Sequence, residues 1–210
     1  DVGWTALNEA FQNGHGECED LLLKYRRYRD MMSAYTNADT CTDTDQVKEG
    51  ILATAWSGDH KALTRWIKAG KERRNYSGDS DDDDDGDDDG GDGDEFSLDF
   101  IHDDCKWPNR TPLGWAVARG NKECILVLLK HGADIEAKDN DGNTALIWAS
   151  KNGHSECMDL LLKHGADIEA KTNYGYTALM WASGNGHSEC VDLLLKHGAD
   201  IEAKDNDGWT

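Results

Sequence analysis

Two short apolar segments alternate with polar loops along the second half of the chain, and this alternation recurs with a period of 33. Residues 139 to 171 and 172 to 204 are nearly identical over most of their length, and residues 106 to 138 keep the same register. Each unit holds a first apolar segment such as TALIWAS, a turn glycine, a second apolar segment such as SECMDLLLKH and the loop GADIEAK. The pattern predicts a helix, a turn, a second helix and a loop in every unit.

The residues at the ends of the predicted helices fit the chemistry of helix termini. A threonine precedes the first segment, where its hydroxyl oxygen can accept a bond from an unpaired backbone N–H, at Thr111, Thr144 and Thr177. A glycine follows the second segment, where a helix commonly ends in the left-handed conformation, at Gly132, Gly165 and Gly198. One helix pair of this length cannot bury its apolar face alone. We therefore expect Leu146, Ala149, Leu160 and Leu161 to pack against their counterparts in neighbouring units.

The stretch TPLGWAVARGNKECILVLLKHGADIEAK, which begins at Thr111, resembles the ankyrin repeat family in its T-P-L-H-x-A helix, its glycine turn and its G-A-D loop. The resemblance covers residues 106 to 210 and 1 to 25, and residues 51 to 70 resemble a divergent unit. It implies an all-α fold, an ankyrin-repeat solenoid of stacked helix-turn-helix units with hairpin loops, interrupted by a disordered acidic insertion. Because both chain ends fall in the same stretch of the repeat, we expect a fragment of a longer protein.

The spacing of the turn glycines locates two insertions. The separations between Gly14, Gly58 and Gly120 are 44 and 62 rather than the expected 33, so the excesses are 11 and 29. The expected organisation is an ankyrin repeat with a truncated start at 1–30, a linker at 31–46, a divergent repeat at 47–71, an acidic insertion at 72–105, repeats at 106–138, 139–171 and 172–204, and the start of a further repeat at 205–210.

Most of the net charge of −20 lies in one segment. Residues 75 to 105 hold 15 of the 42 acidic residues and none of the 22 basic ones. The block GDSDDDDDGDDDGGDGDE within it repels itself and lacks apolar side chains to bury, so we expect it to be disordered and to let the repeats on either side separate. It opens like a calcium-binding loop at Asp81 but lacks the closing glutamate and the flanking helices, which leaves only diffuse cation binding. The near-neutral remainder has no basic face for nucleic acid, and basic proteins are the favoured partners.

Cysteines and histidines recur at fixed offsets in the repeat, whereas a metal or catalytic site is needed only once. The cysteines share one offset, at Cys18, Cys124, Cys157 and Cys190. We expect them to fill the core as free thiols, which fits an intracellular compartment, cytoplasmic or nuclear. His15, His154 and His187 each lie three residues before a cysteine, as zinc ligands could, but the thiols must point inward to fill the core. No catalytic set stands apart from the repeat, so we expect no enzyme activity, no cofactor and no metal.

Trp115, Trp148 and Trp181 fall at the same place on successive first helices and are expected to line up as an aromatic ladder. In one interpretation each indole packs between repeats. In the other, the ring edges line the concave groove and anchor a partner.

The resemblance places partner-reading residues in the loop before the first helix and at the end of that helix. The positions mix Trp, Tyr, Arg and Asn, a composition suited to protein contact. With the three tryptophans included, the candidate partner-binding residues are Trp107, Arg110, Trp115, Asn140, Asp141, Asn143, Trp148, Lys151, Asn152, Asn173, Tyr174, Tyr176, Trp181 and Asn185.

The leading functional hypothesis is a scaffold that binds another protein through the concave groove and the loop tips. A second hypothesis makes the repeats a targeting or regulatory arm of a larger enzyme or channel, and a third makes the acidic segment an arm for basic proteins or cations. No run of about 18 apolar residues occurs, and the residues DVGWTALNEA form neither a basic leader nor a signal segment, so we expect no membrane contact.

Overall fold

The predicted apolar segments form helices in pairs. The computed structural model describes residues 44–72, 97–101 and 110–210, and the regular elements within these ranges are all α-helices. The first helices of the pairs are α1 (Thr44–Ser57), α3 (Pro112–Ala118), α5 (Ala145–Asn152) and α7 (Ala178–Gly184). The second helices are α2 (His60–Glu72), α4 (Lys122–Lys130), α6 (Ser155–Lys163) and α8 (Ser188–Lys196). Within the same ranges, no helix has both the length and the apolar character needed to cross a membrane.

The helix ends in the three regular units form as predicted. Each of the three threonines has an extended backbone, and its hydroxyl oxygen accepts from the backbone N–H three residues later at 3.1 to 3.4 Å. The three glycines after the second helices have φ between 89° and 95°, a conformation that strains any residue with a β-carbon. Local chemistry therefore accounts for both boundaries of these helix pairs.

The helices form two layers. In the first layer α1, α3, α5 and α7 contact one another in succession, and in the second layer α2, α4, α6 and α8 do the same. Leu146, Ala149 and Leu161 are buried in the core, whereas Leu160 is half-buried. The prediction of an all-α stack of helix pairs is confirmed.

A polar side chain just before α4, α6 and α8 ties each pair to the pair before it. Nδ2 of Asn121 donates to two carbonyl oxygens at the end of α1, at 2.8 and 2.9 Å. Nε2 of His154 lies 3.1 Å from a carbonyl oxygen at the end of α3, and Nε2 of His187 lies 3.2 Å from one at the end of α5. Carbonyls in the last turn of a helix have no partner within the helix. The two histidines therefore cap a neighbouring helix, and Asn121 takes the same role.

The cysteines of the repeat series that the structure describes lie in the core. Cys124, Cys157 and Cys190 are free thiols with at most 2% of their surface exposed, which confirms the predicted packing role. Burial raises the pKa of the Cys124 thiol to about 12 and that of the Cys157 thiol to about 11. Among the described residues, no three His, Cys, Asp or Glu side chains gather closely enough to hold a metal ion.

The divergent pair packs directly against the first regular pair, so the expectation that the acidic insertion separates them is wrong. Besides the bonds of Asn121 to α1, Nζ of Lys71 at the end of α2 donates to the carbonyl oxygen of His131 at 3.0 Å. The described residues from Thr44 to Thr210 accordingly belong to one compact unit. The contacts between the two pairs therefore hold them together despite the insertion between them in the sequence.

The chain rejoins the stack after the insertion at residues 97–101. Leu98 is buried, and Oδ1 of Asp99 accepts from the backbone N–H of Asp134 at 2.8 Å. Glu136 and Glu169 make the corresponding bond to the next loop in later units, also at 2.8 Å. Burial raises the pKa of Asp99, and the bond from Asp134 opposes that rise. Asp99 thus supplies the loop carboxylate of the divergent unit.

Several expectations fall outside the described residues. They concern the repeat at 1–30, Cys18, Trp107 and most of the acidic insertion. The start of α1 at Thr44 lies inside the segment expected to be linker at 31–46, because the helix begins about one turn before the buried Val47.

We predict that Gly153→Ala destabilises the protein more than Gly165→Ala. A β-carbon at Gly165, with φ of 90°, meets nothing within 4 Å. This variant therefore loses only the cost of placing a residue with a β-carbon in the left-handed conformation, about 1 kcal/mol. At Gly153, with φ of 72°, a β-carbon would lie 2.7 Å from Nδ1 of His187 and displace its ring. The total loss is then about 2–3 kcal/mol. Urea unfolding followed by circular dichroism measures both, and equal losses would contradict the capping role of His187.

We also predict that Cys124, Cys157 and Cys190 resist alkylation by iodoacetamide in the native protein at about pH 8. Burial excludes the reagent, and the raised pKa values of the thiols suppress the reactive thiolate. Peptide mass spectrometry measures the labelled fraction at each cysteine, and labelling in denaturant is the control. Rapid labelling of Cys157 in the native state would contradict the buried position.

Candidate functional site

Trp115, Trp148 and Trp181 lie at one position of α3, α5 and α7 and are half-buried, but cations stand between their rings. The guanidinium carbon of Arg110 lies 4.5 Å from the ring centroid of Trp115 and 3.6 Å from that of Trp148. Nζ of Lys151 lies 4.6 Å from the centroid of Trp148 and 4.0 Å from that of Trp181. The expected ladder of aromatic rings is thus an alternation of indoles and cations, which we call the cation–aromatic row. Partly desolvated contacts of this kind are attractive.

Asp139 is the acidic residue that supports this row. Only 7% of its surface is exposed, and its Oδ2 accepts from Nε1 of Trp148 at 2.9 Å. Burial lowers the pKa of Arg110, and the charge of Asp139 opposes that effect. Burial likewise lowers the pKa of Lys151. The charge of Asp139 opposes this lowering, and the charge of Arg110 adds to it. One carboxylate therefore orients an indole and compensates two neighbouring cations.

The next unit lacks this carboxylate. Thr172 stands in the place of Asp139, and its hydroxyl oxygen accepts from loop N–H groups at 3.1 and 3.3 Å. Nε1 of Trp181 is buried, and none of the described residues accepts a bond from it. The ring of Tyr176 lies against Trp181 instead, with centroids 5.5 Å apart and planes inclined by 55°. An unpaired buried N–H lowers the free energy of unfolding of the protein.

The structure removes Asn143 from the candidate surface. Only 3% of its surface is exposed, and Nδ2 donates to both oxygens of Asp139 at 3.0 and 2.9 Å. Residue type and repeat position do not predict the burial of Asn143, because its bond to Asp139 depends on the conformation of the loop.

Other candidate asparagines are exposed, but their side chains are engaged within the stack. Nδ2 of Asn152 donates to a carbonyl oxygen of its own helix, and Nδ2 of Asn185 donates to the carbonyl oxygen of Lys151. Nδ2 of Asn173 donates to the carbonyl oxygen of Asn140 at 2.9 Å. These amides hold loops and helix ends, so they are less available to a partner.

Both tyrosines of the candidate set are exposed. Tyr174 is 64% exposed and Tyr176 is 38% exposed, and Asp141 in the preceding loop is also exposed. Sequence reasoning did not include Trp209, which is 74% exposed and shares its repeat offset with Arg110 and Tyr176. That shared offset is the signal that could have found it. The position preceding the threonine thus carries Arg110, Tyr176 and Trp209, whereas in the second regular unit it carries the buried Asn143.

Comparison with known proteins identifies the repeat. The family described as Ankyrin repeats (3 copies) matches residues 92–172 and 136–205. Potassium channel AKT2/3 of Arabidopsis thaliana is 53% identical over 36 residues, which is 17% of this chain. The matched stretch spans only 4% of the channel.

We predict that Thr172→Asp stabilises the protein by about 1 kcal/mol. An aspartate there would accept from Nε1 of Trp181 as Asp139 accepts from Nε1 of Trp148, and its carboxylate would also receive the loop N–H groups. Urea unfolding measures the gain. The reverse change, Asp139→Thr, is the matched control and should cost about 2 kcal/mol, because Trp148 and Asn143 lose their acceptor. A loss of stability in Thr172→Asp would show that the two positions are not equivalent.

Proposed function

The chain belongs to the ankyrin repeat family, and from this premise we propose that it is a non-catalytic scaffold that binds another protein. The binding surface is the concave groove along the first helices together with the loop tips. We assign one repeat to each of the ranges 47–71, 106–138, 139–171 and 172–204. Each of the last three ranges contains a helix pair, and the pair in the first range starts before it, at Thr44, and ends one residue after it, at Glu72.

The exposure of Tyr174 and Tyr176 beside the cation–aromatic row is the observation that carries this proposal. Tyrosine buries a large, rigid surface with little loss of side-chain entropy and also offers a hydroxyl group, so it is enriched where proteins meet. Both residues lie on a loop whose backbone is anchored to the neighbouring loops. A partner would therefore meet a preorganised surface, and little ordering entropy would be lost.

The recurrence of its polar residues supports the non-catalytic assignment. Histidines and cysteines recur from one unit to the next and serve as helix caps and core residues, whereas a catalytic group is needed once. Free thiols in the core support an intracellular location. The role of the acidic segment stays a prediction, since residues 79–95 lie outside the described ranges.

The match to a potassium channel favours a second candidate function, a regulatory arm within a channel assembly. Under this candidate the same surface binds another part of the channel, and the identity of the bound proteins separates the two possibilities.

Exposed tyrosines at the loop tips are predicted to be required for partner capture. The double variant Tyr174→Ala, Tyr176→Ala should lose at least about 1.4 kcal/mol of binding free energy, a tenfold loss of affinity, because interface tyrosines are frequent hot spots. Affinity capture from cell extract with quantitative mass spectrometry compares this variant with the unaltered protein.

The matched control changes exposed apolar residues of the second helix layer. Leu126→Ala with Leu195→Ala alters residues of α4 and α8 that are 46% and 39% exposed. Proteins bound through the tips should disappear with the tyrosine variant and persist with the leucine variant. Retention of every captured protein by the tyrosine variant would overturn the proposed surface.

A further inference from the structure

The second helices change sign of charge along the stack. Counting Lys, Arg, Asp and Glu, α2 carries a net charge of +3 and α4 of +1, whereas α6 and α8 each carry −1. Four exposed cations of α2 and α4 form what we call the basic face: Lys61, Arg65, Lys68 and Lys130. The chain outside the acidic insertion, whose composition predicts no basic face, therefore has a local one.

The members of the basic face lie on one side of their helices. Lys61, Arg65 and Lys68 follow the spacing i, i+4 and i+7, so they share one stripe of α2, opposite the buried Trp66. Lys130 holds the register of Lys68 on the adjacent helix α4. The stripe of α2 and the end of α4 thus present their cations together.

The openness of this side is a property of the repeat. Glu156 and Lys163 are the counterparts of Lys61 and Lys68 in α6, which has a second helix on either side of it. Both counterparts are exposed. The exposure of Lys61 and Lys68 therefore does not depend on where in the stack their helix lies.

Later units neutralise the lysine at the register of Lys68, and the first two units do not. In α6 and α8 an aspartate four residues earlier bonds to this lysine at 2.5 Å. Threonine takes the place of that aspartate before Lys68, and leucine takes it before Lys130. Lys68 instead meets Glu72 at 3.4 Å in an exposed pair, which contributes little. Within the described ranges, no carboxylate pairs with Lys61, Arg65 or Lys130.

A segment of opposite charge follows α2 in the sequence. Residues 79–95, which we call the acidic block, hold twelve acidic residues and no basic ones. The block lies outside the described ranges, but the residues on either side of it are held. Nζ of Lys71 donates to the carbonyl oxygen of His131, and Oδ1 of Asp99 accepts from the backbone N–H of Asp134. Both flanks are thus held by residues 131–134, beside the end of α2.

The acidic block is long enough to reach every member of the basic face. Lys61 lies eleven residues before the end of α2 at Glu72, about 16 Å along the helix axis. The thirteen residues from Glu72 to Asp85 can span up to about 43 Å when extended. Because both flanks are held nearby, the block remains at an effective concentration of about 1 mM or more relative to the face.

We propose that the acidic block binds the basic face of its own chain. Charge complementarity favours this occupant, whereas the net charge of −20 repels anionic molecules from outside. A basic partner of the block then has to displace the lysines of the face, so weakly cationic proteins compete poorly for it. The inference goes beyond the proposed scaffold function, because the face lies on the second helices and the scaffold surface lies on the first helices and loop tips.

Zero-length cross-linking of the full chain with a carbodiimide tests this contact, because the reagent joins a lysine amine to a carboxylate only where the two groups touch. Trypsin cuts after Arg74 and Lys106, so the block is released within one peptide. Cross-links from this peptide to the lysines of the basic face should exceed those to Lys163 and Lys196 at least about fivefold at low salt. Sodium chloride at about 0.5 M should remove most of that difference, and a difference that salt leaves unchanged would contradict the proposal.

Two arginine variants separate electrostatic binding from proximity along the chain. Arginine does not form the cross-link, so Arg65→Gln leaves the reacting lysines in place and should lower the yields at Lys61 and Lys68 at least about twofold. Arg119→Gln is the matched control, since it removes the same charge from an exposed residue of the first helix layer and should keep the yields. Circular dichroism checks that both variants are folded. Equal yields in the two folded variants would overturn the proposal.

A mixture of unlabelled and nitrogen-15-labelled protein identifies the occupant. Cross-links within one label support the proposal, whereas cross-links that join the two labels would assign the block to a second copy of the chain and overturn it. Lysines of the face without any cross-link to the block would leave the face to an external anion and would also overturn it. None of these results bears on capture through Tyr174 and Tyr176, so the scaffold function stands or fails separately.

Discussion

Helices of seven to nine residues cannot shield their own apolar side chains, and the regular units of this protein depend on that limit. Leu146, Ala149 and Leu161 are buried because equivalent helices lie beside them, not because one pair encloses them. The bonds of Asn121, His154 and His187 act between the same neighbours. Stability therefore resides in the contacts between units, and any unit that keeps them can diverge elsewhere.

The divergent pair illustrates this freedom. It is separated from the next pair by the acidic insertion, yet Lys71 and Asp99 hold the two sides of the insertion against the stack. Closing a longer loop costs little extra entropy, since the cost grows only with the logarithm of its length. A few contacts at the two ends are enough to offset it. The charge of the segment consequently decides little about the packing of the repeats.

Features governed by local chemistry could be predicted from the sequence, and features governed by contacts between units could not. Threonine caps, left-handed glycines and inward thiols follow from the residue type and its position in the repeat. The burial of Asn143 depends on its bond to Asp139, and the placement of Arg110 depends on an indole of the next unit. Of the candidate site, the offsets of the tryptophans and tyrosines were accessible to sequence reasoning. The order of cations between the rings was not, because it depends on contacts between units.

The second and third regular units share the same helices and loops, so the few residues that differ between them show which interactions the fold does not require. Asp139 and Thr172 occupy one position, and Lys151 and Gly184 occupy another, so the third unit lacks both the carboxylate and the cation of the second. The helices and loops around these positions keep the same bonds, so the exchanges leave the fold unchanged while they remove interactions from the row. The indole N–H of Trp181 lacks the acceptor that Trp148 finds in Asp139, which is a deficit in the folded protein. The row is therefore a property of particular units rather than of the repeat itself, because its polar residues can change while the stack of helix pairs is kept.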